Sequence, residues 1–156
     1  MKAVRILAAA IVIAFSCTGF AQAQQPACNK RASVTTCDWP AFRTLLEKSQ
    51  TIAIRTGNID RFTGVQLKEL AKHLHKSIVE HNADLGMEVV SVDSNGVVIG
   101  PGDSAVAELR IYAKAPMTER YELVWVEHYE GDRDRPWASS VQATVDQFED
   151  HLKHAK

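Results

Sequence analysis

Six histidines and a scattered set of serines and carboxylates are what this chain offers for chemistry. His73 and His75 stand two apart, so on a helix their imidazoles leave on different flanks, and His81 lies past the same periodic segment. His151 and His154 share a helical face with Gln147 one turn upstream, a spacing that can chelate a cation. Two imidazoles near a chain end, with no third strong ligand, make a loose site, and no metal or other cofactor is expected. An acyl-transfer enzyme would set a serine on a sharp turn, but no Gly-x-Ser-x-Gly occurs. Ser94 in Asp93-Ser94-Asn95-Gly96 and Ser104 after Gly102-Asp103 read as turn residues. Gly100-Pro101-Gly102-Asp103 is rich in glycine, yet it leads into a strand and lacks the lysine of a phosphate loop. Glu108, Glu122, Glu127 and His128 fall in one hairpin, where two carboxylates on an open face could serve as acid and base. Solvated cross-strand charge is the commoner use of that pattern, so no catalytic residue is assigned.

Binding chemistry has better candidates. Lys68, Lys72 and Lys76 recur at i, i+4, i+8, with Arg61 near the start of the same segment. On one helix they form a cationic stripe suited to anionic lipid, cell-wall polymer or an acidic protein. Arg133, Arg135 and Trp137 close the loop Asp132-Arg133-Asp134-Arg135-Pro136-Trp137, and Arg and Trp are enriched where partners dock. A solvated helix face and local charge pairing are the competing readings of these two features.

The elements that must position these residues follow from periodicity. Asp38 caps a short helix with Pro40 in its first turn and Ala41, Phe42, Leu45 and Leu46 on its apolar side. Thr51-Ile52-Ala53-Ile54-Arg55 is a strand stopped at Gly57-Asn58. Thr63 and Gln66 form a capping-box pair before Leu67, Leu70, Ala71, Leu74 and Ile78, which predicts a helix ending near Glu80. Met87–Val92 and Val97–Ile99 are extended runs about a turn at 93–96. Residues 105–114 alternate Ala107, Leu109, Ile111 and Ala113 against Glu108, Arg110, Tyr112 and Lys114. With Tyr121–Tyr129 they predict a β-hairpin with one wet face, joined through 115–118. The second strand is apolar on both parities, as a strand covered by helices, a partner or a second copy would be, and self-association is left open. A last helix over 137–151 carries Val141, Val145, Phe148 and Leu152 inward.

The chain begins with Lys2 and Arg5, an apolar run over 6–15, and Ala21-Gln22-Ala23. That order predicts a signal peptide over 1–23. Ala14-Phe15-Ser16-Cys17 offers a rival cut, with lipid attached at Cys17. Cys28 and Cys37 then remain, and in an oxidising compartment they are expected to form a disulfide within an irregular arm over 24–38. Residues 39–156 make one domain. Removal of Lys2 and Arg5 from the 18 basic residues leaves the 19 acidic ones in slight excess, against nucleic-acid binding. No second apolar run is long enough to span a bilayer.

The expected fold is α+β, a mostly antiparallel sheet of about four strands with about three helices on one face. The strand Thr51-Ile52-Ala53-Ile54, the amphipathic helix after it, and a hairpin before a terminal helix resemble in topology a group of small periplasmic α+β domains. These are the amino-terminal part of the translocation protein TolB and domains of curli-secretion and penicillin-binding-protein-activating lipoproteins. The resemblance covers Thr51 to Leu152 and implies a non-catalytic domain that docks onto another envelope component. The expected function is therefore a binding or assembly module of the bacterial envelope, periplasmic or secreted. The alternative is a small-ligand carrier or hydrolase using the open sheet face.

Overall fold

The computed structural model describes residues 29–31, 34–55, 61–93, 95–100, 106–115, 118–131 and 136–154. The expected signal peptide, Cys17, Cys28, Ser94, Ser104, Arg133 and Arg135 lie outside the described residues. Strands β1 (Asn29–Arg31) and β2 (Val34–Thr36) pair antiparallel, so the arm expected to be irregular contains a short ladder. Helix α1 (Trp39–Lys48) starts as its sequence predicts. Asp38 Oδ1 accepts the Ala41 N–H at 3.0 Å, which satisfies one of the donors a helix start leaves free.

Strand β3 (Thr51–Ile54) leads to α2 (Arg61–His73) and a two-residue strand, β4 (Ser77–Ile78). Strand β5 (Leu85–Val92) pairs antiparallel with β6 (Val98–Ile99), and between them the Gly96 N–H donates to Asp93 O at 2.9 Å. The long hairpin is β7 (Val106–Lys114) with β8 (Tyr121–Glu130), and α3 (Trp137–His154) ends the described chain. The sheet order is β4-β3-β5-β7-β8, with β6 on the end of β5. Expectation and structure agree on α+β, but the sheet is larger than expected and mixed. Strand β3 runs parallel to both β4 and β5, because α2 returns the chain to the starting edge before each.

The second helix ends at His73, not near Glu80. His75 adopts a left-handed conformation (φ 55°), its N–H donates to Lys72 O at 2.9 Å, and the Lys76 N–H donates to Ala71 O at 3.0 Å. This pair of bonds closes the last carbonyls and turns the chain out of the helix. Ile78, expected on the helical stripe, instead sits 42 % exposed on the edge strand.

All three helices bury their apolar sides in one cluster on one face of the sheet. Phe42, Leu67, Leu70, Val141 and Phe148 meet Met87, Leu109, Ile111 and Trp125 there. The Phe42 ring stacks on Trp125 with centroids 5.0 Å apart. The two-sided character of the last strand has a cause. Ile111 is opposite Trp125, yet Tyr112 is opposite Leu123, so Val124 is an extra residue in the ladder. Val124 and Trp125 are both buried in the core, and the inward parity changes there. Tyr121 and Leu123 consequently share the outer face with Tyr112, while Trp125 and Glu127 face the helices.

Candidate functional site

The outer face of the sheet is laid out in rows by strand register. Gly86, Tyr112 and Leu123 form one row; Glu88, Arg110 and Val126 the next; Val90, Glu108 and His128 the third. Polar residues occupy this face because no described helix covers it, yet several are partly shielded by one another. Arg110 donates from Nε and Nη2 to Glu108 Oε2 at 2.9 and 2.6 Å, and His128 Nδ1 lies 3.3 Å from Glu108 Oε1. Burial opposes the charge on Arg110, but the hydrogen bond and charge of Glu108 outweigh it and raise its pKa. Tyr112 Oη donates to Glu88 Oε1 at 2.5 Å. Burial, followed by that hydrogen bond, pushes the phenol up to about 12, so it remains a donor at any physiological pH.

Arg55 closes one end of this face. Its N–H donates to Met87 O at 2.8 Å, which extends the β3–β5 ladder by one bond. The guanidinium carbon sits 4.5 Å from the Tyr112 ring centroid and 5.1 Å from that of Tyr121. Tyr121 is fixed in turn by its Oη donating to Ala83 O at 2.6 Å.

A second polar cluster lies on the helix side. Glu127 is 2 % exposed, and its carboxylate accepts from Trp125 Nε1 at 3.3 Å and from Gln147 Nε2. His151 Nδ1 is 2.8 Å from Glu127 Oε2, and Gln147 also donates to His128 O at 3.1 Å. The His151 side chain is half-exposed beside Trp39, with ring centroids 5.9 Å apart. A carboxylate that fixes Nδ1 leaves Nε2 for proton exchange, the geometry of an oriented base. The pair joins His151 of α3 to Glu127 of β8. It pins the end of α3 to the sheet.

Several sequence expectations are redistributed. Glu127 and Glu108 do not share an open face, because the extra residue in β8 leaves Glu127 on the helix side. His151 and His154 do not converge: His154 Nδ1 donates to Asp150 O at 2.9 Å. No three His, Cys, Asp or Glu side chains among the described residues are placed to hold a metal ion. The lysine stripe is broken. Lys68 and Lys72 are exposed on α2, with Lys72 Nζ 2.7 Å from Glu69 Oε1. Lys76 lies beyond the helix and donates to Leu46 O and Ser49 O at 2.7 and 2.6 Å, where it serves the end of α1. Trp137 is half-buried against the core, which engages its ring in packing. Sequence reasoning missed Arg55 and Glu88, and left Tyr121 between the core and an open aromatic patch. Only the alternation that put Arg110 and Tyr112 outward pointed toward them.

No family model matches the chain and no curated protein is significantly similar to it. The likeness to the periplasmic domains therefore rests on element order alone. No helix among the described residues is long and apolar enough to cross a membrane.

Proposed function

We propose that this chain is an exported envelope protein, periplasmic or secreted, that acts as a non-catalytic binding or assembly module through the outer face of β5, β7 and β8. The observation that carries this reading is a polar sheet face that no described helix covers. Glu88, Glu108, Arg110 and Tyr112 are held there by mutual bonds before any partner arrives, which lowers the cost of ordering them on binding. Lys68 and Lys72 remain available for a secondary electrostatic contact, and Arg133 and Arg135 lie outside the described residues. Export is supported by the basic, apolar and small-residue order of positions 2–23.

A Cys28–Cys37 disulfide belongs to the same reading. In the β1–β2 ladder Asn29 is opposite Thr36, Lys30 opposite Thr35 and Arg31 opposite Val34. Cys28 lies outside the described residues, and the pairing is proposed because two cysteines in an oxidising compartment are expected to join.

The test is recovery of the processed protein from the envelope of its own host, after mild crosslinking, as wild type and as Arg55→Ala/His128→Ala. Arg55 is exposed and the His128 side chain is half-exposed, so the fold survives their loss. A stoichiometric partner retained by the wild type and lost by the variant is the expected outcome. Equal retention by both would remove the outer face as the docking surface. Recovery of the unprocessed chain from the cytoplasm would overturn the export reading.

A further inference from the structure

Building on the outer sheet face as the binding surface, we propose that Arg55 is a recognition site for one oxyanion, the phosphodiester or carboxylate of an otherwise uncharged group. Guanidinium groups on long side chains are ordinarily mobile, and ordering one costs entropy that weakens any single contact. Here that ordering is built in. The guanidinium lies against Tyr112 and Tyr121 at 4.5 and 5.1 Å, and neither ring is free to swing, since the phenols are bonded to Glu88 and Ala83 O. Gly86 forms the floor: a methyl group there would come within 3.1 Å of Arg55 Nε.

The charge on this frame is unmatched. The other cations of the face have carboxylate partners, Arg110 with Glu108 and Lys114 with Glu119 at 2.9 Å. Arg55 is exposed, and its side chain makes no hydrogen bond or ion pair among the described residues. A planar fork of N–H donors held against two rings suits two oxygens of one group, which an oxyanion supplies and a neutral amide does not. The rest of the face sets the limit on charge. Glu88 and Glu108 lie further along it, so an extended polyanion meets repulsion where a single anionic group at the Arg55 end does not. Leu123, opposite Tyr112 and partly exposed, gives the uncharged part of such a molecule an apolar contact.

The experiment uses the exported chain as recovered from cells, with the arginine Nε–Hε resonances followed by NMR at low salt. The probes are dimethyl phosphate and acetate. The Arg55 resonance should move saturably with at least one of them, with a dissociation constant on the order of 1–10 mM, the strength of one exposed charged contact. Arg55→Lys, which keeps the charge but not the fork and is followed through the backbone amide resonances of positions 55 and 86, should weaken binding at least several-fold. Gly86→Ala, which lifts the side chain from its floor, should do the same with the fold intact. A shift that is linear in both probes, or Arg55→Lys binding as tightly as wild type, overturns the proposal. Sedimentation with phosphatidylglycerol vesicles then separates the sources. Co-sedimentation that Arg55→Ala abolishes identifies a lipid headgroup, and saturable probe binding without it identifies a free small anion. Partner retention that survives Arg55→Ala alone while probe binding is absent would sink this site and leave the broader binding reading standing.

Discussion

At the scale of single residues, Asp84 joins distant parts of the chain. Its Oδ2 accepts the N–H groups of Gln50 and Thr51 and the Thr51 hydroxyl, each at 2.9 Å, and its own N–H donates to Thr51 Oγ1. These bonds fix the start of β3 beside the start of β5, where the parallel pairing begins. The Gln50 N–H is the largest cause; burial opposes it, but with the two Thr51 bonds and the charge of Lys76 added the carboxyl is held below the usual range of an aspartate. A group whose pKa is lower folded than unfolded stabilises the fold above its unfolded value and loses that contribution as pH falls through the folded one. The unfolded value is about 3.9, so the contribution is complete above roughly pH 5 and fades below pH 4. Asp84→Asn should therefore destabilise by about 1 kcal/mol at neutral pH, the site being exposed enough for solvent to weaken its bonds. Urea unfolding at pH 7 and pH 3 checks this: the gap between variant and wild type should shrink at the lower pH. A constant gap would mean that the charge is not what matters. Nothing in the sequence marks Asp84, because its partners are more than thirty positions away.

At the scale of elements, what was legible followed the length of the pattern. The β7–β8 hairpin reads directly from nine- and ten-residue segments, and α3 from an apolar stripe that persists to Leu152. The end of α2 misled because Ile78 stands at i+4 from Leu74 and Lys76 at i+4 from Lys72, so both apolar and charged patterns continue past the real stop. The stop itself is written in backbone geometry at His75, a residue type that gives no turn signal, whereas glycine there would have announced it. This makes a prediction. A residue with a Cβ at positive φ is strained by about 1 kcal/mol, which glycine relieves in part against its own greater unfolded-state entropy. His75→Gly should raise stability by about 0.5 kcal/mol, provided the two closing bonds to Lys72 O and Ala71 O are kept. His75 is exposed, and among the described residues its side chain makes no hydrogen bond or ion pair. Thermal unfolding of the two proteins decides it, and an unchanged or lower midpoint would show that the imidazole contributes something the geometry does not reveal. The extra residue in β8 was legible only as an ambiguity. Apolar side chains on both parities of a strand signalled that its facing changes, but not whether a partner or a bulge was the cause.

At the scale of the whole molecule, the mixed sheet has unequal edges and an amino-terminal arm that must be tethered to it. Strand β4 is two residues long and ends one side, while β8 ends the other with its His128 carbonyl accepting from Gln147 Nε2 of α3. That contact blunts part of an edge that would otherwise invite further strand pairing. The arm has less to hold it, since the β1–β2 ladder is a separate two-stranded sheet and an isolated pair of short strands is marginal in water. Cys37 packs against the core at the start of α1, so a bond from it to Cys28 would fasten the arm to the domain. Cross-linking a loop this short restricts the unfolded chain enough to stabilise the fold by about 2.5 kcal/mol on the chain-entropy model. Cys28→Ser/Cys37→Ser should therefore lower the urea midpoint by an amount that dithiothreitol reproduces in the wild type and does not add to in the variant. Mass spectrometry of the exported protein should find the two cysteines in one linked peptide. Two alkylatable thiols in protein taken from an oxidising compartment would overturn the disulfide. The same spectrum reads the compartment, because a chain beginning at Gln24 and carrying the bond has passed through an export pathway, and one beginning at an acylated Cys17 has been anchored instead.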